Sequence, residues 1–433
     1  MATEQDKQKR RLARFIRERD QYEAVAKAFG KTPTGSDKLY ASLTQAYVDH
    51  HNEIIRRVET GEPFIASYYA CEPEIYVAMD LPWYTFLTPA FMGALSSGGA
   101  DDVEASESLF GKDLCTAFRV AGYTIEKDIT PLPTAIIALI HPCDAATMTH
   151  QVMMTNENWS KIPIFAADPP YWEDERSIDY YAGELKEMIS FLEEHTRHRM
   201  DFDRLREVIK ESNKMYELWM EYNELRRAVP SPHGYGPGLQ AYGVAENILV
   251  GDPRGTEWFR GLVEDAEKLV REKRGPVANE RIRLFWFDVG SLQLAFDLFP
   301  WLEQEWGAVV VMDMFGYTPY TLIDTSSEET MLKGLAKRAL FDVPMIRQAR
   351  GVADHWIGDI RRAVKDYKVD CVVFPGHMGH KDGSANVGMM RETCRELGVA
   401  FIYLGMDLFD PKYTTADEIK DKFSQFFSAH GLG

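Results

Sequence analysis

Three cysteines and two histidines stand where apolar runs break into turns, and their types suit them for chemistry. Cys71 follows the run FIASYYA in YYACEPEIY, Cys143 follows TAIIALIH in HPCDAAT, and Cys115 lies in GKDLCTAFRVAG, which reads as the start of a helix. His377 and His380 sit three apart in VFPGHMGHKDGSA, just after the run VDCVVF. Thiolates are ligands for soft metals and clusters, and imidazole, with an unperturbed pKa of about 6.5, holds metals or moves protons near neutrality. Residue type alone also allows a plainer account, in which each cysteine is a small apolar residue at a strand end and each histidine a hydrogen-bonded structural one. Cys371, inside VDCVVF, and Cys394, in MMRETCRELG, read as packing residues, and His141 as a structural histidine.

The elements that must position these residues are short, continuously apolar runs: 64–70, 134–141, 162–168, 282–289, 308–314, 369–376 and 400–407, each followed by a turn and a helical pattern. Continuous rather than alternating apolar character marks strands covered on both faces, the habit of parallel sheets in α/β domains. Ligands of such sheets collect beyond the carboxyl ends of the strands, where several of the candidate residues lie. The fold expected is therefore α/β, with two doubly wound parallel-sheet domains of Rossmann or flavodoxin type and a helical connection. The 433 residues exceed what one core holds. The divisions expected are an N-terminal helical segment over 1–60, a first α/β domain with a helical extension over 61–230, and a second over 231–433. The segment HGYGPG at 233–238 reads as an interdomain turn, with contact to a ligand as the alternative.

Composition excludes several functions. A net charge of −18 without a basic stripe argues against a nucleic-acid partner. No apolar run is long enough to cross a bilayer and the charged N-terminus has no signal-like segment, so a cytoplasmic location is expected. Five widely spaced cysteines do not suggest disulfides, and no CxxC pair is present. There is no phosphate loop, nucleophile elbow or HExxH motif.

Taken in order, ACEPEIYVAMDLP, DLCTAFRVAG, ALIHPCDA, VDCVVFPGHMGHKDGSA and GVAFIYLGMDLFDP resemble segments of the subunits of the 2-hydroxyacyl-CoA dehydratase and benzoyl-CoA reductase superfamily, and the likeness runs from about Phe64 to Phe427. The resemblance implies a [4Fe–4S] cluster held by three separated cysteines, a homologous cluster-bearing partner subunit, a separate ATP-hydrolysing iron–sulfur activator and an acyl-CoA substrate. Two of the family's cysteines fall on Cys115 and Cys143. The third, which precedes a lysine, falls on His380 in GHK. Three arrangements follow: His380 replaces the thiolate, a change that tends to raise a cluster's potential; Cys71 supplies the third thiolate and His380 stays free as a proton donor; or this chain has lost the cluster.

The family chemistry implied is low-potential one-electron transfer into an acyl-CoA thioester in an oxygen-sensitive, anaerobic enzyme, with His377 and His380 as candidate proton donors. The aromatic surroundings PPYWEDER and LFWFDV tilt the expected activity toward reduction of a benzoyl-CoA-type ring. An (R)-2-hydroxyacyl-CoA dehydratase subunit is the alternative. A non-catalytic scaffold or electron-transfer subunit is a second.

Overall fold

A computed structural model of the chain describes residues 4–31, 35–68, 72–86, 99–139, 143–289, 294–317, 320–344, 346–349, 353–410 and 412–433. Cys71 and His141 lie outside them. The described strands form two sheets of four. β1 (Ile65–Ser67), β2 (Trp83–Thr85), β3 (Ala135–Leu139) and β4 (Ile164–Ala167) run in the order β2-β1-β3-β4. β5 (Ile282–Trp286), β6 (Ala308–Asp313), β7 (Cys371–Phe374) and β8 (Ala400–Tyr403) run in the order β6-β5-β7-β8. Every pairing is parallel. This is the expected pair of doubly wound α/β units, and all seven apolar runs supply strands. The eighth, β2, is only WYT after Pro82, too short to carry a period.

Burial explains the continuous runs. Every residue of β1, β3, β5, β6 and β7 is buried, whereas the edge strands β4 and β8 are partly exposed. In the second unit Ile282, Leu284 and Trp286 face one apolar cluster and Phe285 and Phe287 another, the two-residue alternation of a strand covered on both faces. The first sheet belongs to a larger cluster, which also takes in Leu43 and Ile54 of the N-terminal helices, Trp219, Phe259 and Leu335.

Two long N-terminal helices, α1 (Glu4–Phe29) and α2 (Gly35–Thr60), pack side by side. Arg11 of α1 is bonded to Asp128 at 2.8 Å, and Trp258 Nε1 donates to the Leu39 carbonyl of α2 at 2.9 Å. Among the described residues no helix is long and apolar enough to cross a membrane.

In the order of strands each sheet has one place where the chain reverses direction, between β1 and β3 in the first and between β5 and β7 in the second. Adjacent connections diverge there and leave a crevice at the carboxyl ends.

A buried ionic group braces the first unit from outside the sheet. Arg338 pairs with Glu74 at 2.8 Å, both nearly inaccessible, and its guanidinium lies 4.0 Å from the centre of the Tyr216 ring. Tyr216 Oη donates to Glu246 at 2.7 Å. Burial, then the neighbouring Glu74, pushes the Glu246 carboxyl up to about 7. Removing one member of a buried pair strands the other, so Arg338→Ala should lower the unfolding free energy by about 3–5 kcal/mol, read as a lower urea midpoint. Glu246 titrates near 4.5 unfolded and about 7 folded, so its contribution is present below pH 4.5 and is lost as pH rises toward 7. Glu246→Gln should flatten the fall in stability across that window; parallel curves for variant and parent would contradict a raised carboxyl.

Candidate functional site

Cys115 and Cys143 each occupy the position before a helix, Cys115 ahead of Thr116–Glu126 and Cys143 ahead of Asp144–Thr155. Cys143 lies beyond the carboxyl end of β3, on the side of the first sheet's reversal. From the second unit, Asp288 follows β5 and the loop 375–380 follows β7, on both sides of the second reversal; Asp407 lies beyond β8. Residues far apart in sequence thus meet where the carboxyl ends of the two sheets approach each other.

The contact between the units is direct. His377 Nε2 lies 3.3 Å from Cys115 Sγ. Thr116 Oγ1 donates to Asp407 Oδ2 at 2.5 Å, and Arg119 Nη2 donates to Thr116 Oγ1 at 3.0 Å. Gly379 is packed so closely that a Cβ there would fall 2.6 Å from Cys115 Cβ, so only glycine lets the loop approach.

Asp288 organises the loop. Its Oδ2 accepts the His377 backbone N–H at 3.1 Å and its Oδ1 meets His380 Nδ1 at 2.7 Å. Burial disfavours both charged forms, but the pair outweighs it: the Asp288 carboxyl is held below its ordinary range and the His380 imidazole is raised above its own. His380 therefore carries its proton more readily than a free histidine, and Nε2 is the ring position left over. His377 behaves oppositely. It is inaccessible, and burial, followed by the neighbouring His380 charge, lowers it to about 3. His377 Nε2 and Cys115 Sγ share a hydrogen bond, and the other ring nitrogen, Nδ1, lies 3.6 Å from Asp407 Oδ2.

Both thiols are raised. Burial dominates for Cys115, with Cys143 adding to it and the amide dipoles of Phe118 and Ala117 acting the other way. For Cys143 burial again leads, opposed by the amides of Ala146 and Ala145. Each thiol is thus a neutral S–H whose deprotonation a cation or metal would favour.

A cavity of about 840 Å³ opens on this junction. Cys115, Cys143, His380, Lys381 and Asp382 line it, and so do Tyr22, Tyr47, Tyr235 and Phe315; His377 does not. Its size is within the roughly 300–1,000 Å³ of small-molecule sites. At the rim Lys381 reaches Asp113 at 3.2 Å. Of the segment 233–238, expected as an interdomain turn with ligand contact as the alternative, residues 233–237 line the cavity, and His233 is buried between Tyr222 Oη and Asp265, each at 3.1 Å.

Among the expected site residues, then, Cys115, Cys143 and His380 line one cavity and His377 is in contact with Cys115 without lining it. Reading the sequence missed Asp288, Asp407 and Thr116. The signal for the two aspartates was present: each is the acid that ends an apolar run, in IRLFWFDV and AFIYLGMD.

No three His, Cys, Asp or Glu side chains among the described residues converge on a single metal ion. A cluster makes a different demand, since each of its irons takes its own ligand and the ligands stand farther apart than around one ion. Two thiols and an imidazole whose other nitrogen is held by a buried carboxylate have the donor chemistry for that.

A family model described as 2-hydroxyglutaryl-CoA dehydratase, D-component, matches residues 68–428. One of the subunits of the benzoyl-CoA reductase of Thauera aromatica is 22% identical over 365 residues, covering 77% of this chain and 81% of that protein.

Gly379→Ala should push the loop off Cys115 and open the thiol to solvent. The expected result is faster maleimide labelling of Cys115, located by mass spectrometry, with a stability loss of about 1–3 kcal/mol from overpacking. Unchanged labelling would show that the loop does not seal this cysteine.

Proposed function

The chain belongs to the family of the 2-hydroxyglutaryl-CoA dehydratase D-component, and on that footing we propose that it is one subunit of a cytoplasmic enzyme that transforms acyl-CoA thioesters at the cavity bounded by Cys115, Cys143 and His380. The observation that carries the reading is convergence: thiols from one unit and an imidazole from the other line one ligand-sized cavity. The reaction favoured is one-electron reduction, at low potential, of a benzoyl-type thioester. Its support is the likeness to a benzoyl-CoA reductase subunit over most of both chains. Loss of the hydroxyl group from a 2-hydroxyacyl thioester is the second reading, favoured by the description of the matching family.

Cys115 and Cys143, with His380 or with Cys71, are the residues that would hold a [4Fe–4S] cluster, whose chemistry is to supply electrons singly to the substrate. The protein's own part is positioning and proton supply. Asp288 fixes the His380 ring through Nδ1 and favours its protonated form, so that with Cys71 as the third ligand Nε2 is left to donate to a substrate oxygen or ring carbon. His377, neutral and inaccessible, orients Cys115. The aromatic walls exclude water from a thioester in the cavity, which strengthens each polar contact there. A homologous cluster-bearing subunit and an ATP-hydrolysing iron–sulfur activator complete the proposal as partners.

Iron and acid-labile sulfide, measured on the anaerobically isolated complex, test this reading, with about four of each expected per cluster-bearing chain. His380→Ala should lower iron if the imidazole is a ligand, and His380→Cys should keep iron while lowering the cluster's potential. Full iron in His380→Ala, with loss of turnover, would instead assign His380 to proton donation and the third ligand to Cys71. A chain with no iron in any preparation would leave it a scaffold beside its partner.

A further inference from the structure

The cavity wall opposite in chemistry to the thiols and His380 comes from the N-terminal helices, which precede residue 68, where the family match begins. Tyr22 and Phe29 of α1 and Tyr40 and Tyr47 of α2 all line the cavity. They stand in two ring pairs: Tyr22 and Tyr47 stack at 4.7 Å with 7° between their planes, and Phe29 meets Tyr40 edge to face at 4.8 Å and 89°. Phe29 and Tyr40 are half-buried, so part of each ring stays accessible.

Neighbouring contacts hold this wall in place. Gly35, at the start of α2, lies so close to Asp265 that a Cβ would collide with the carboxyl group. A Cβ on Gly243 would come 3.2 Å from Tyr47 Oη, and Trp258 ties the Leu39 carbonyl. Such a surface is formed before a ligand arrives and needs little ordering on binding. Ring faces and edges attract other rings by offset stacking and edge contacts.

We propose that the α1–α2 hairpin is a seat for a planar aromatic group of the thioester and so determines which thioester this chain accepts. The inference rests on the acyl-CoA reading and deepens it. A planar group can come from two sources in that ligand class, an aromatic acyl ring or the adenine of the CoA, and the experiment separates them.

Calorimetric titration of the full chain with benzoyl-CoA, butyryl-CoA and S-benzoyl-pantetheine, in the wild type, Phe29→Ala, Tyr40→Ala and Tyr40→Phe, tests it. Each alanine variant should weaken benzoyl-CoA binding about three- to tenfold, with Tyr40→Phe close to wild type because the ring is kept. Thermal unfolding of the four proteins guards against a loss caused by misfolding, and Tyr40→Leu, which keeps bulk without a ring, should repeat the alanine result. Weakening confined to the two benzoyl ligands places the acyl ring on the wall; weakening confined to the two CoA ligands places the adenine there. Alanine variants that bind all three ligands as the wild type does would overturn the proposal. A wild type that binds none of the three would overturn the acyl-CoA reading, and the inference with it.

Discussion

Asp288 has almost no contact with solvent, and the geometry of the site follows from how its charge is satisfied. A buried carboxylate must be paired or hydrogen-bonded. Here one oxygen takes the backbone N–H of His377 and the other the ring of His380. Those bonds shift two histidines three residues apart in opposite directions, His380 facing the cavity with its pKa raised and His377 behind Cys115 with its pKa lowered. Asp288 itself ends the apolar run of β5, so a strand packed on both faces supplies the rigid base for the whole loop.

The second constraint is closeness between the two α/β units. Thr116 bonded to Asp407, His377 against Cys115, and Gly379 in contact with the Cys115 backbone bring strand ends of both sheets to one place. Either unit alone offers an incomplete set, two thiols from the first or an imidazole and its carboxylate from the second. Positioning by two scaffolds leaves neither the thiols nor the imidazole free to drift, which is what the proposed function asks of them. Aromatic side chains of the N-terminal helices line the same cavity.

Much of this was legible in the sequence because the signals were local. Runs such as AVVVMDM and VDCVVF announced strands covered on both faces, and the residues just past them, Cys143 and His380, fell where parallel sheets bind ligands. The histidine spacing in GHMGH showed that the loop was unusual without showing that Asp288 would divide the two rings. That division depends on a partner 92 residues away in the chain, at 2.7 Å in space, and no spacing rule reports such a contact. β2 escaped because three residues hold no period. The place of α1 and α2 beside the cavity escaped because nothing in the sequence singles out Tyr22, Phe29, Tyr40 and Tyr47; only the cavity brings them together. Gly379 gave no signal, since its need for glycine arises from Cys115 on the other unit.

The central claim is that Cys115, Cys143 and His380 bound one functional site between the two units. A crystal structure of the anaerobically isolated complex with a bound thioester, phased at the iron edge, tests it most directly. The account predicts an iron anomalous peak against Cys115 and Cys143 and thioester density in the same cavity with His380 at its acyl end. Iron bound elsewhere on the chain, or a thioester seated away from these three residues, would contradict it.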